Sequence, residues 1–262
     1  MSTYFYESLE SFQNRWKEIE TLIKLANTNR KNEEDYNTLC RAIIVLMVAH
    51  LEGTVRDTVK AIIEDFNLNS TFLSLPLSMK RIFCKEFISG PEEKESKDLE
   101  LRTQKLIAQF DCLSPTIIPD PFLIDGKNPS PTIIHRVVKN FGANNFFSLI
   151  GESNFDLPFQ GENRKVGQLK RRIREHLYSA STHYPYNIKS KLIKLNNNKL
   201  QSPTLWEDFV NDLLTIRHGI AHGSSVTNGK SLREIKEIRI KLEILEYAFM
   251  YVMCITIMNP TN

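Results

Sequence analysis

The sequence predicts an all-α protein, and three observations carry that prediction. Glycine and proline are scarce, with 10 and 11 in 262 residues, too few for a turn-rich β architecture. Apolar residues recur at three- and four-residue spacing over long stretches near both ends. Helix-start signals stand directly in front of several of those stretches. A hydrophobic fraction of 41% and a charged fraction of 25% are ordinary for a globular chain. The balance of 34 Lys and Arg against 31 Asp and Glu, a net charge of +3, permits nucleic-acid binding without demanding it. The organisation is read as a single domain over residues 1–262. Core helices occupy about 4–66 and 203–258, and a central elaboration occupies about 70–200.

The first helix is expected over residues 4–27, where Phe5, Leu9, Phe12, Trp16, Ile19, Ile23 and Ala26 form one stripe. Asn32 followed by Glu33, Glu34 and Asp35 reads as a capped start with acids in the first turn. The helix it opens runs to about Phe66, and its middle, AIIVLMVAHLEG (42–53), is apolar on every side and so belongs in the centre. His50, Glu52 and Arg56 interrupt it. Buried charges need partners, and Glu52 and Arg56 have the i,i+4 spacing of a helical pair.

Between 70 and 200 the pattern is weaker. Short helices are expected at 76–88, 97–110, 130–141, 165–179 and 187–195, with loops such as LSPTIIPDPFLIDGKNPSP between them. Ser130–Pro131 opens one of these and Gly142 closes it, following the usual helix asymmetry. Ser202–Pro203 marks the start of a helix striped by Trp206, Phe209, Leu213, Ile216 and Ile220. Residues 223–230 form a turn, and Ser231 with Glu234 makes a capping box for the final helix.

Cys40, Cys84, Cys112 and Cys254 are far apart and lack metal-ligand or CxxC spacing, so they read as scattered thiols in a reducing compartment. The N-terminus shows neither a basic segment nor an apolar one of the secretory kind. LEYAFMYVMCITIM (245–258) is short for a membrane span and holds Glu246, so it reads as a buried core helix. A cytoplasmic protein with no membrane partner is the expectation.

The chemistry-bearing stretch is TIRHGIAHG (215–223), at the C-terminal end of the Trp206 helix. Arg217 is permanently charged and its planar fork matches phosphate oxygens. His218 and His222 titrate near neutrality and can serve as base or acid. Gly219 and Gly223 let a backbone or ligand approach closely. A plain C-terminal cap, with Arg and His answering the helix dipole, fits the same residues. A zinc pair is disfavoured, since Gly219 stands where an HExxH motif has its glutamate. The Arg-x4-His spacing also recurs as Arg171 to His176 within KVGQLKRRIREH (165–176). There Lys170, Arg171, Arg172 and Arg174 make either a solvated charged face or a phosphate-contacting strip.

RHGIAHG resembles the Arg-x4-6-His signature of the HEPN superfamily, whose polar residue after the arginine is matched by His218. The segment LCRAIIVLMVAHLEGTVRDTVKAII (39–63) resembles the second helix of the MAE-type prokaryotic HEPN subgroup, where an aromatic or apolar residue precedes "EG". The resemblance covers residues 36–66 and 203–258 well and the first helix loosely. It implies an up-and-down four-helix bundle with an embellished middle, forming a homodimer whose paired motifs line a cleft. It implies Arg217 and His222 as the signature pair, His218 as the orienting neighbour, and Glu52 as an acid facing the motif, with Arg56 as the competing partner. HEPN toxins paired with a nucleotidyltransferase antitoxin often carry tyrosine two residues after the histidine. Here that position is Ser224, so regulation through that tyrosine is not implied.

The resulting expectation is a metal-independent endoribonuclease without cofactors, acting on RNA in a toxin–antitoxin or antiphage system, with an antitoxin or defence partner. Arg217, His222, His218 and Glu52 are its expected catalytic set, and Lys170, Arg171, Arg172 and Arg174 its RNA contacts. The alternatives are a non-catalytic RNA- or protein-binding module and a structural subunit of a larger complex.

Overall fold

The computed structural model describes residues 2–88, 96–124, 128–143, 145–189, 200–223 and 230–258. Among the described residues the regular elements are helices and no strand occurs. In chain order these are α1 (Tyr4–Thr28), α2 (Glu33–Asn69), α3 (Leu77–Ile88), α4 (Lys97–Leu113), α5 (Pro131–Asn140), α6 (Phe146–Ile150), α7 (Asn163–Ala180), α8 (Leu205–Ala221) and α9 (Leu232–Met258). Short 3-10 turns at Phe72–Ser74, Asp120–Phe122 and Asn154–Phe159 fill the central region.

The frame is α1, α2, α8 and α9. All seven stripe residues of α1 are buried, and α2 packs along it. The two helices are antiparallel because their joint is only a few residues long: Asn32 caps α2 by accepting a hydrogen bond from the Asp35 N–H. At the far end of this hairpin the Asp65 carboxylate accepts from the N–H groups of Tyr4 (2.7 Å) and Phe5 (2.9 Å) and from the Tyr186 hydroxyl (2.7 Å). An acid at a helix N-terminus satisfies donors that the helix itself cannot. Midway, Glu246 of α9 accepts from Trp16 Nε1 of α1 and Thr54 Oγ1 of α2, both at 2.9 Å. Near the start of α2, the Tyr36 hydroxyl accepts from the Leu232 N–H at 2.9 Å. This register makes α9 parallel to α2.

Helix α8 runs back against α9, with Lys241 Nζ over the Phe209 ring at 5.8 Å and Ile216 lining a groove with Glu234 and Ile238. The four frame helices therefore alternate direction in chain order, as the resemblance implied, with residues 70–204 inserted between the second and third. By length and composition α2 could cross a membrane. Here α1, α8 and α9 pack on it, and sixteen of its residues are buried.

The helix predictions for 76–88, 97–110, 130–141 and 165–179 correspond to α3, α4, α5 and α7. Ser130 caps α5 by accepting from the Ile133 N–H, and Gly142 follows its end at φ +110°, a conformation that suits glycine. The helix expected at 187–195 is not seen at 187–189, and residues 190–195 lie outside the described residues. Asn187 and Ile188 instead spend their N–H groups on the carbonyls of Ala180 and Tyr186. Helix α8 begins at Leu205, later than Ser202–Pro203 suggests, because Thr204 and Glu207 make a reciprocal capping box there.

Several charged groups cross this core. Burial pushes the Glu246 carboxyl up to about 8, while the Thr54 hydrogen bond and the Arg15 charge pull the other way. Glu243, one turn earlier and also buried, is held by Lys170 at 2.6 Å, with Arg239 at 3.7 Å. Burial and then the Arg15 charge hold His50 below the usual imidazole range, against Glu18. Arg15 bonds Asp57 at 3.0 Å across Gly53, where an added Cβ would meet its Nη1 at 2.2 Å. The glycine of the "EG" pair thus makes room for an interhelical guanidinium.

Candidate functional site

The apolar stripe of α8 explains where its charged end sits. Trp206, Val210 and Leu213 are buried, and the Trp206 indole N–H donates to Asp156 at 2.9 Å. Arg217 follows Leu213 by four residues and Val210 by seven, so it occupies the next place on the core-facing side. It is half-buried there, and its guanidinium has no carboxylate or carbonyl partner among the described residues. A fixed positive charge in a partly desolvated place, left unpaired, is an available anion contact.

His218 and His222 are exposed, one turn apart, with ring centroids 4.1 Å apart and planes at 48°. The last turn closes with the His222 N–H on the His218 carbonyl at 3.0 Å, and Gly223 follows at φ +66°. That value favours glycine and ends the helix where the imidazoles stay in solvent. At about 100° per residue, His222 lies about 140° round α8 from Arg217. The signature residues therefore project from different sides of one helix. Ser224 and the rest of the stretch to 229, where a turn is expected, lie outside the described residues.

Glu52 is not brought to this end. It pairs with Arg56 at 2.7 Å, the i,i+4 partner, and faces Ile133 and Val137 of α5. It stands near the level of Thr54 and Glu246, about 24 Å along α2 from Tyr36 at 1.5 Å per residue. Arg217 belongs to the Tyr36 end, since its neighbour Ile216 shares a groove with Lys230 and Glu234. Within one chain the structure does not bring Glu52 to the motif; its local partner Arg56 holds it.

The basic residues of α7 also separate. Lys170 is the strut to buried Glu243, so its charge is already used within the chain. Arg171, Arg172 and Arg174 are exposed with no ion pair among the described residues, but they point different ways. Arg172 lies by His176, and Arg174 by Tyr178 and Tyr247. Sequence reasoning missed what flanks the motif. A groove of about 210 Å³ between α8 and α9 has Phe209, Leu213, Ile216 and Ile238 as its apolar lining and Lys230 and Lys241 among its charged residues. Lys241 also lies over Phe159 at 4.7 Å. These residues meet only across the groove between α8 and α9, so no local pattern announces them.

The family model RiboL-PSP-HEPN matches residues 10–249, from the first turns of α1 to the last part of α9. The chain belongs to this HEPN family. No curated protein and no solved structure matches it. HEPN membership points to a nuclease-like or RNA-related module, because HEPN domains are often RNases. The matched span holds both RHGIAHG and the Arg171 to His176 pair, the latter on α7 outside the four-helix frame. The match carries the RiboL-PSP name, and the MAE-type likeness of α2 rests on its apolar run and the Glu52–Gly53 pair.

Proposed function

We propose that this HEPN protein is a metal-independent endoribonuclease whose site is completed by two copies of the chain. The observation that carries the reading is the end of α8: a half-buried Arg217 with no ion pair among the described residues, and two exposed imidazoles one turn apart with their rings 4.1 Å from each other. Because Arg217 and His222 diverge on one chain, a single copy presents half of the constellation to any one phosphate. Two copies related by a two-fold axis along the α8 ends set Arg217 of one beside His222 of the other. The Arg217 fork then binds the non-bridging oxygens of the scissile phosphate and stabilises the charge that builds on them.

One histidine removes the proton from the ribose 2′-hydroxyl as its oxygen attacks phosphorus. The bond to the 5′-oxygen breaks, and a second imidazole supplies that oxygen with a proton. The products are a 2′,3′-cyclic phosphate and a free 5′-hydroxyl, with no net gain or loss of protons. His222 is the leading base or acid, and His218, one turn before it with its ring 4.1 Å away, positions it or serves as its counterpart. A cytoplasmic toxin–antitoxin or antiphage role, with an antitoxin or defence partner, suits an enzyme of this kind.

The test is incubation with labelled tRNA and single-stranded RNA in EDTA, wild type beside His222→Ala. Cleavage by the wild type alone, leaving cyclic phosphate ends, is expected. RNA that is bound but uncut by both proteins favours a second reading, a non-catalytic RNA-binding module, which Arg171 and Arg172, exposed and without an ion pair among the described residues, support.

A further inference from the structure

The first three turns of α9 form a ridge with a groove on each flank. One is the α8–α9 groove beside the motif. The other, of about 400 Å³, is bounded by Arg30 at the end of α1, Asn163 at the start of α7, and Arg233, Lys236, Glu237 and Ile240 of α9. Glu237 lines both grooves, so they meet across a single ridge. In the second groove three cations face one carboxylate, and that carboxylate is already paired with Arg233 at 3.2 Å. Arg30 and Lys236 are exposed and have no ion pair among the described residues. Nearby cations differ: Lys230 bonds Glu234 at 3.1 Å, and Arg239 is held by Glu20 at 2.5 Å. Two unpaired cations around one concavity repel each other, and a bound anion relieves that repulsion.

We propose that the α1–α7–α9 groove is a second subsite for the RNA backbone, in which Arg30 and Lys236 contact a phosphodiester. This rests on the reading of the protein as one that engages RNA. A strand whose scissile phosphate lies at Arg217 crosses the α9 ridge and sets a further phosphate between Arg30 and Lys236. Ile240 offers an apolar contact to the sugar there. The groove shares no residue with the α7 strip Arg171, Arg172 and Arg174, and it lies at the same end of the bundle as RHGIAHG. Glu237, on the ridge itself, repels a strand that lies too close to the α9 axis and so directs it into the grooves.

The experiment measures binding of a single-stranded RNA by the full chain carrying His222→Ala, as a function of salt, with and without Arg30→Ala and Lys236→Ala. Each phosphate contact on a single strand contributes about 0.7 to the slope of log affinity against log salt. The double variant is expected to lower that slope by about 1.4. Lys105→Ala, on α4 and exposed, removes a charge away from the groove and is expected to leave the slope unchanged. An unaltered slope in the double variant overturns the proposal, as does an equal fall in Lys105→Ala. Failure of the nuclease reading is distinguishable: the wild type then leaves RNA uncut, while the slope still falls with Arg30 and Lys236 removed. RNA cut by the wild type with no change in slope sinks the groove alone.

Discussion

Replacing Glu246 by glutamine should remove a pH dependence of stability that this one side chain imposes. Glu246 is fully buried and accepts from Trp16 Nε1 and Thr54 Oγ1. Its carboxyl sits at about 8 in the fold, against about 4.3 in the unfolded chain. The folded state therefore binds the proton more tightly, and its contribution is fully present below about pH 4.3. It is lost as pH rises toward 8, at up to about 1.4 kcal/mol per pH unit. Between pH 5 and pH 8 that amounts to about 4 kcal/mol, an upper figure for a group in contact with other charges.

Glutamine keeps both hydrogen bonds. Its amide oxygen accepts from the indole, which can only donate, and its amide nitrogen donates to the Thr54 hydroxyl, which can turn to accept. The variant should thus match the wild type near pH 5 and exceed it by several kcal/mol at pH 8. Urea unfolding followed by tryptophan fluorescence at pH 5, 6.5 and 8 reads the difference. Parallel pH profiles for the two proteins would refute the assignment of a neutral acid to this position.

Four further outcomes follow from named contacts. Arg217→Ala and His222→Ala should each abolish RNA cleavage while shifting the urea midpoint little, because His222 is exposed and the half-buried Arg217 has no ion pair among the described residues to lose; near-wild-type cutting by either contradicts the mechanism. Asp65→Ala strands three donors from Tyr4, Phe5 and Tyr186 and should cost about 3 kcal/mol by equilibrium unfolding, and a loss under 1 kcal/mol counts against the clasp. Thr204→Ala removes the α8 capping box and should cost about 1 kcal/mol, with circular dichroism showing an otherwise intact fold. The backbone N–H and hydroxyl of Ser231, with Lys230, hold the Glu234 carboxyl down to about 2, so its cap on α9 persists as pH falls through 4.3 and is released near 2. An NMR titration of this carboxyl with a midpoint at the ordinary value would refute that cap.

The frame was legible because local signals and the global packing agree. The stripe from Phe5 to Ala26, the Asn32 cap, the Ser231–Glu234 box and the Trp206 stripe each mark an element that the structure contains. The place of RHGIAH at a helix end was legible for the same reason, since Gly223 stands where the stripe stops. What escaped was set by distance along the chain. Lys170 reads as surface basic charge until Glu243, on another helix, is seen to hold it. Glu52 reads as an acid seeking the motif, yet the register of α2 against α9 sets it midway along the bundle, away from the Tyr36 end where the motif lies. Residues 187–189 look helical in composition, but the Ala180 carbonyl and Tyr186 claim their backbone.

The Asp65 clasp also divides the molecule into two poles. Tyr4 and Phe5 are tied to one pole, and Cys254, near the close of α9, lies by the same carboxylate. Tyr36, the start of α9 and the end of α8 occupy the other, about 44 Å away along α2 at 1.5 Å per residue. Anything attached ahead of α1 or beyond α9, whether a fluorescent reporter, a surface tether or a neighbouring domain, hangs from the pole remote from Arg217. The pole that carries RHGIAHG is left unencumbered in immobilised or fused forms of the protein, so the proposed pairing with a second copy can be tested on them.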